Sequence, residues 1–272
     1  MGICYAGLMC HAPIVIPEVA GDRIETCRAS AAAMAKIAQS CLRSSPNLIL
    51  LISPHTPRPP SGFSVQATAR ISGDLGLFNF PQLRIDLPCA KTFQEKMMGS
   101  ADRYGLQVES IISELDHGAA VPLFFLQKAG WTGPVSIIGL PDETSDDHNR
   151  ILGKMLQDLS EDSSIGIIAS GDMSHRLQPG APGGYHPDAK KFDEYVVNHI
   201  SRGEYLKATQ PPFELRQLAG EDVIDSLQIA TAAINYNSNG SKVHSYEGPF
   251  GVGYLVASLY EESFTTPYKE KK

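Results

Sequence analysis

Three of the eight histidines in this chain follow closely on apolar runs. Residues 47–52 are aliphatic after Asn47, with no polar alternation, and Ser53-Pro54-His55-Thr56-Pro57 comes next. Residues 3–9 are mostly apolar and lead into Cys10-His11-Ala12-Pro13. Residues 165–171 lead into Asp172-Met173-Ser174-His175 in the same way. An aliphatic run stopped by Pro or polar residues reads as a strand buried on both faces. Ligands of open α/β sheets bind in the crevice beyond the carboxyl ends of such strands. The pattern therefore predicts three imidazoles converging on one site.

His11 and His55 each sit beside proline-constrained backbone, which suits a metal ligand because the imidazole is held before the ion arrives. A third ligand is needed. The candidate is Glu221, at the start of the apolar helical stretch 221–230. A carboxylate there also complements a helix N-terminus, and taken alone that is the simpler reading of it. Two histidines and one glutamate form the facial triad of non-heme Fe(II) oxygenases. Zinc on the same ligands, as in hydrolytic sites, is the competing chemistry, although the HExxH motif of zinc peptidases is absent. His175 and His117 are the candidates for proton transfer, with Asp172 and Asp116 near them in sequence. His186 lies in the Gly- and Pro-rich stretch 178–187, which reads as a lid or an ordinary connector, and there it could touch substrate. His148, His199 and His244 read as surface or packing residues.

The elements that must position these groups are those of a single α/β domain. The chain has 272 residues, 42% hydrophobic and 19% charged, with no composition break that would divide it. Domain limits of 1–262, with a polar C-terminal tail over 263–272, follow. Strands are expected over 3–9, 47–52, 63–69, 135–140 and 165–171, with two further extended pieces within 243–260. Helices are expected over 23–42, 89–104, 119–129, 142–159, 188–200 and 220–236. Residues 11–17 read as an extended loop and 71–88 as turn-rich with short extended pieces.

The net charge of -7, with no basic run, argues against nucleic acid or an anionic membrane as partner. Five cysteines, an odd number without CxxC, argue against a disulfide framework and for a reducing cytoplasm. No leader-like segment opens the sequence and no apolar run approaches membrane-spanning length. Phosphate-binding Gly-rich loops and GxSxG are absent.

Taken in order, five segments resemble one family: Cys10-His11-Ala12-Pro13, Ser53-Pro54-His55-Thr56-Pro57, Leu115-Asp116-His117-Gly118, Gly171-Asp172-Met173-Ser174-His175-Arg176 and Tyr246-Glu247-Gly248-Pro249-Phe250-Gly251. They look like the LigB-type class III extradiol ring-cleavage dioxygenases, over nearly the whole chain. The resemblance implies an α/β domain with a central mixed sheet flanked by helices. It implies Fe(II) held by His11, His55 and Glu221, with Glu247 as the alternate carboxylate. It gives His175 as the catalytic histidine and His117 as a pocket residue. The substrates implied are O2 and a small catechol-like or aminophenol-like ring. A homo-oligomer, and in some members a small partner subunit, also belong to the family pattern. The superfamily includes Memo-like proteins and relatives of AmmeMemoRadiSam protein B. In Memo a Cys replaces the carboxylate, whereas this chain has no Cys beyond Cys89. The alternatives are thus a Memo-like metal-binding or redox-linked protein without ring cleavage, or a zinc-dependent hydrolase, with Zn or Cu in place of iron.

Overall fold

A computed structural model describes residues 2–143 and 145–262. The tail expected over 263–272 lies outside the described residues.

Among the described residues the strands are β1 (Gly2–Met9), β2 (Leu48–Ser53), β3 (Phe63–Gln66), β4 (Arg70–Leu75), β5 (Phe80–Pro88), β6 (Val108–Ile111), β7 (Val135–Gly139), β8 (Ser164–Ser170), β9 (Lys242–Glu247) and β10 (Tyr254–Glu261). The α-helices are α1 (Pro17–Ala20), α2 (Arg28–Arg43), α3 (Lys91–Ala101), α4 (His117–Lys128), α5 (Asp146–Leu159), α6 (Ala189–Ser201), α7 (Tyr205–Ala208), α8 (Phe213–Ala219) and α9 (Ile224–Ala233). Eight strands form one mixed sheet in the order β6-β3-β7-β2-β8-β1-β10-β9, and β4 pairs with β5 in a separate hairpin. The centre of the sheet is parallel: β2 pairs with β7 and β8, and β8 with β1. β10 runs antiparallel to β1 and to β9, and β3 antiparallel to β7.

The aliphatic runs follow from helices covering both faces of this sheet. Along β2, Leu48, Leu50 and Ile52 point into one apolar layer with residues of α3, α5, α6 and α9. Ile49 and Leu51 point into the other, with residues of α2, α4 and the hairpin. β1 divides likewise, Ala6 and Leu8 against Tyr5 and Met9. Cys27 and Cys41 are buried, and all five thiols are free. No helix among the described residues is long and apolar enough to cross a membrane.

Two expectations change. Residues 71–88 are not mainly turns but the β4–β5 hairpin, in which Ile71, Leu75, Ile85 and Leu87 are buried. Their alternation is the period-2 signature of a strand with one covered face. The loop over 11–17 folds as a short 3-10 turn, Pro13–Val15, followed by α1, because each proline stands at the first position of a helical turn, where its missing N–H costs nothing.

Candidate metal centre

β8 lies between β2 and β1, so the carboxyl ends of three adjacent parallel strands deliver His11, His55 and the segment Asp172–His175 to one crevice. α4 adds His117 at its first position. Asp116 is the N-cap of this helix, its Oδ1 accepting from the Ala119 N–H at 2.9 Å. The same carboxylate accepts from Ser53 Oγ at 2.8 Å and Thr56 Oγ1 at 2.7 Å. Asp116 therefore joins the start of α4 to the loop carrying His55. Gly118 makes this junction possible, since a Cβ there would stand 2.7 Å from Ser53 Oγ and 3.1 Å from His55 Cδ2.

The imidazoles of His11, His55 and His117 present nitrogens within 4.8 Å of one another. His11 Nε2 and His55 Nε2 are 3.1 Å apart. Asp222 Oδ2 completes a triangle with them, 3.1 Å from His55 Nε2 and 3.3 Å from His11 Nε2. Donor atoms about 2.1 Å from a common ion stand about 3.0 Å apart at right angles and about 3.4 Å apart in a tetrahedron. The three edges fall in that interval, so the cluster fits a divalent transition ion.

Hydrogen bonds behind the ligand atoms orient them, as metal sites require. Ser170 Oγ donates its single proton to Gly118 O at 2.6 Å. It must then accept from His11 Nδ1, 3.0 Å away, which fixes the proton on Nδ1 and turns the Nε2 lone pair to the centre. Asp172 Oδ1 accepts from the His11 N–H at 2.9 Å, and Asp222 Oδ1 from the Asp172 N–H at 2.7 Å. Asp172 thus supports His11 rather than His175.

The electrostatics of the cluster suit a cation. Burial opposes the charge of His11, but Asp172 and Asp222 outweigh it and raise the imidazole to about 9. Burial also opposes ionisation of Asp222, yet His11 and His55 hold its carboxyl well below the usual range. Burial, with His55 and His11 alongside, lowers His117 to about 4 and keeps it neutral.

The sequence-based assignment of Glu221 as the third ligand is corrected by this geometry. Its carboxylate pairs with Arg216 Nε at 2.6 Å and accepts from the N–H groups of Val223 and Ile224 at 2.8 Å each. That is the helix N-terminal role, and it turns Glu221 away while its neighbour Asp222 faces the histidines. Gly171 lets this segment come so close to the end of β8: a Cβ there would lie 2.5 Å from Val223 Cα. Glu247 is also elsewhere, its Oε2 accepting from Ser30 N and Oγ in the first turn of α2.

His175 Nδ1 lies 2.8 Å from Gly220 O. A carbonyl only accepts, so Nδ1 is the protonated nitrogen and Nε2 is left with a free lone pair. His175, His117 and the two central histidines share a cavity of about 460 Å³. His186 is not among its lining residues; its Nδ1 accepts from the Asp188 N–H at 3.1 Å, closing a local turn. Phe250, from the last of the five family-like segments, also faces the cavity, as do two residues that the sequence did not single out, Arg23 and Tyr254. Phe78 arrives from the hairpin, 5.9 Å from the His117 ring between centroids.

Residues 5–257 match the family model of the catalytic LigB subunit of aromatic ring-opening dioxygenase. Among curated proteins the chain is similar to Protein CA_C1420 of Clostridium acetobutylicum, 27% identical over 97% of this chain. The chain spans 58% of that relative's length. A solved structure of uncharacterized protein JW3007 from Escherichia coli K12 shares the fold, with a TM-score of 0.59 at 16% identity over 83% of this chain and 92% of that one. A match over nearly all of the described residues settles the family: this chain belongs to that of the catalytic LigB subunit of aromatic ring-opening dioxygenases.

Proposed function

We propose that this protein is an extradiol dioxygenase that opens a catechol-like or aminophenol-like ring with O2, its metal held by His11, His55 and Asp222. The observation that carries this reading is the triangle of two imidazole nitrogens and one carboxylate oxygen, whose two histidines line a cavity together with His117, His175 and a set of apolar residues. Three protein ligands on one face leave the opposite face for substrate. An Fe(II) ion held by His11, His55 and Asp222 would supply the electron transfer between ring and dioxygen that amino-acid side chains lack.

The chain's own residues do the rest. Pro13, Ile14, Phe250 and Val252 give the ring apolar walls and exclude water from it. His175 Nε2 takes the proton from a substrate hydroxyl and returns it to the departing oxygen, while Gly220 O holds the ring on its other nitrogen. His117 stays neutral and offers a hydrogen-bonding imidazole without adding positive charge. Five free thiols fit a reducing cytoplasm as the compartment.

The test is anaerobic loading with Fe(II), addition of a panel of catechols and aminophenols, then admission of oxygen. Oxygen uptake with a yellow ring-fission product, lost in His55→Ala and Asp222→Ala, is the expected result. A second reading, a zinc-dependent hydrolase, draws on the third imidazole, since His11, His55 and His117 together are a zinc-like set. Oxygen-independent turnover of the zinc-loaded protein would select it.

A further inference from the structure

We infer that Phe78, at the tip of the β4–β5 hairpin, is a positioning residue for His117, which makes the hairpin part of the site. The inference rests on the reading above for what His117 does with substrate, and it adds what orients that imidazole. His11 and His175 are oriented by hydrogen bonds, to Ser170 Oγ and to Gly220 O. Among the described residues His117 has no hydrogen bond on either nitrogen. Asp116 fixes the start of α4 but not the ring at its first position. That ring is packed against other rings. His55 lies 4.2 Å away between centroids, tilted by 32°, and His11 stands edge-on at 5.3 Å. Phe78 stands edge-on at 5.9 Å, with 68° between the planes. His11 and His55 belong to the metal triangle, so among the described residues Phe78 is the ring neighbour independent of it.

The hairpin fixes where this ring stands. Ile71, Leu75, Ile85 and Leu87 are buried in the apolar layer that also holds α4. Gly73 lies against Leu115, two residues before His117, and a Cβ on Gly73 would stand 2.6 Å from Leu115 Cβ. At the tip, Asp74 Oδ1 accepts from the Gly76 N–H at 2.8 Å. A 3-10 turn spans Gly76–Phe78, and Asn79 follows with a left-handed φ of 69°. The turn separates two adjacent apolar side chains: Leu77 is 89% exposed, while Phe78 is half-buried beside His117. A ring edge competes for neither imidazole nitrogen. It restricts the rotamers of His117 and leaves both nitrogens to the cavity.

The test is spectroscopic. It uses the Zn(II)-loaded protein, ¹⁵N-labelled in its histidine rings, at one pH and without substrate. Long-range proton–nitrogen correlations report each imidazole, and His117→Gln identifies the set that belongs to His117. Phe78→Ala should broaden or split that set, while those of His11 and His175 keep their positions. Phe78→Tyr, which retains the ring, should give back one sharp set, and Phe78→Leu should fall between the two. Leu77→Ala, on the exposed side of the same turn, should leave every set unchanged. In turnover of a ring-opening substrate, Phe78→Ala should lower kcat by about tenfold, within the roughly 10²-fold that a misplaced contact group can cost. A sharp, unmoved His117 set in Phe78→Ala, or equal changes at His11 and His175, overturns this inference and leaves the ring-opening reading standing. Absence of turnover with every diol overturns that reading instead, and the spectra alone then decide the role of Phe78.

Discussion

The Nε2 atoms of His11 and His55 face each other at 3.1 Å. With the proton of His11 fixed on Nδ1 by Ser170, two nitrogens at that distance need a shared proton or a cation between them. Asp222 Oδ2 lies within 3.3 Å of both and supplies the countercharge. A metal ion satisfies all three atoms at once.

Asp222 and its neighbour Glu221 therefore separate metal binding from stability. Asp222→Ala should abolish stoichiometric metal binding, measured by elemental analysis after dialysis, with little loss of fold. Glu221→Ala leaves Arg216 with Asp225, 3.5 Å away, and takes the acceptor from the Val223 and Ile224 N–H groups at the start of α9, so the urea midpoint should fall. The milder Glu221→Gln should retain its metal. Metal loss in Glu221→Gln together with retention in Asp222→Ala would restore Glu221 as the ligand.

His175→Ala should lower kcat by ~10²–10⁴ if its free Nε2 moves the substrate proton. Metal content should match that of the unsubstituted protein, because His175 is tied to Gly220 and not to the triangle. Turnover at the original rate would remove His175 from the mechanism.

The parts of the site that were legible in the sequence are those built on strands. β1, β2 and β8 announce themselves as aliphatic runs because helices bury both faces, and the residue types just past their ends brought His11, His55 and His175 to notice. The choice between Glu221 and Asp222 was not legible. Both are acidic and adjacent, and which one faces inward depends on the left-handed turn at Gly220 and on the cap of α9, both set in three dimensions. Arg23 and Tyr254 were equally silent, since they lie far from the histidines in sequence and reach the cavity through the packing of β10 and the turn before α2.

The stability of the protein should carry a pH signature from Asp193. This buried side chain of α6 accepts from Ser174 N at 2.9 Å and Tyr246 Oη at 2.6 Å, pinning the segment that bears His175. Burial raises it to about 6, against the two hydrogen bonds. Because the folded protein holds this proton more tightly than the unfolded chain, the contribution is fully present below about pH 4 and is lost as pH rises through 6. Asp193→Asn cannot ionise. The stability of the variant relative to the parent should therefore climb by about 2–3 kcal/mol between about pH 4 and 7 in urea titrations, whatever its constant offset. A difference independent of pH would mean that Asp193 ionises as freely folded as unfolded.

Ser170 gives the most direct test of how the site is held together. It touches no ligand atom that faces the ion. It accepts from His11 Nδ1, donates to Gly118 O, and its own carbonyl accepts from Ser226 Oγ at 2.7 Å. Ser170→Ala keeps the backbone part of this arrangement and removes only the hydroxyl. The His11 proton then loses its partner and the ring its fixed tautomer. Metal affinity should fall by about 10–100-fold, read by competition with a chromophoric chelator. Ser170→Thr, which keeps the hydroxyl, should recover much of the loss if the strand end accommodates the added methyl. An affinity unchanged in Ser170→Ala would show that Asp172, through the His11 N–H, is enough to orient the imidazole.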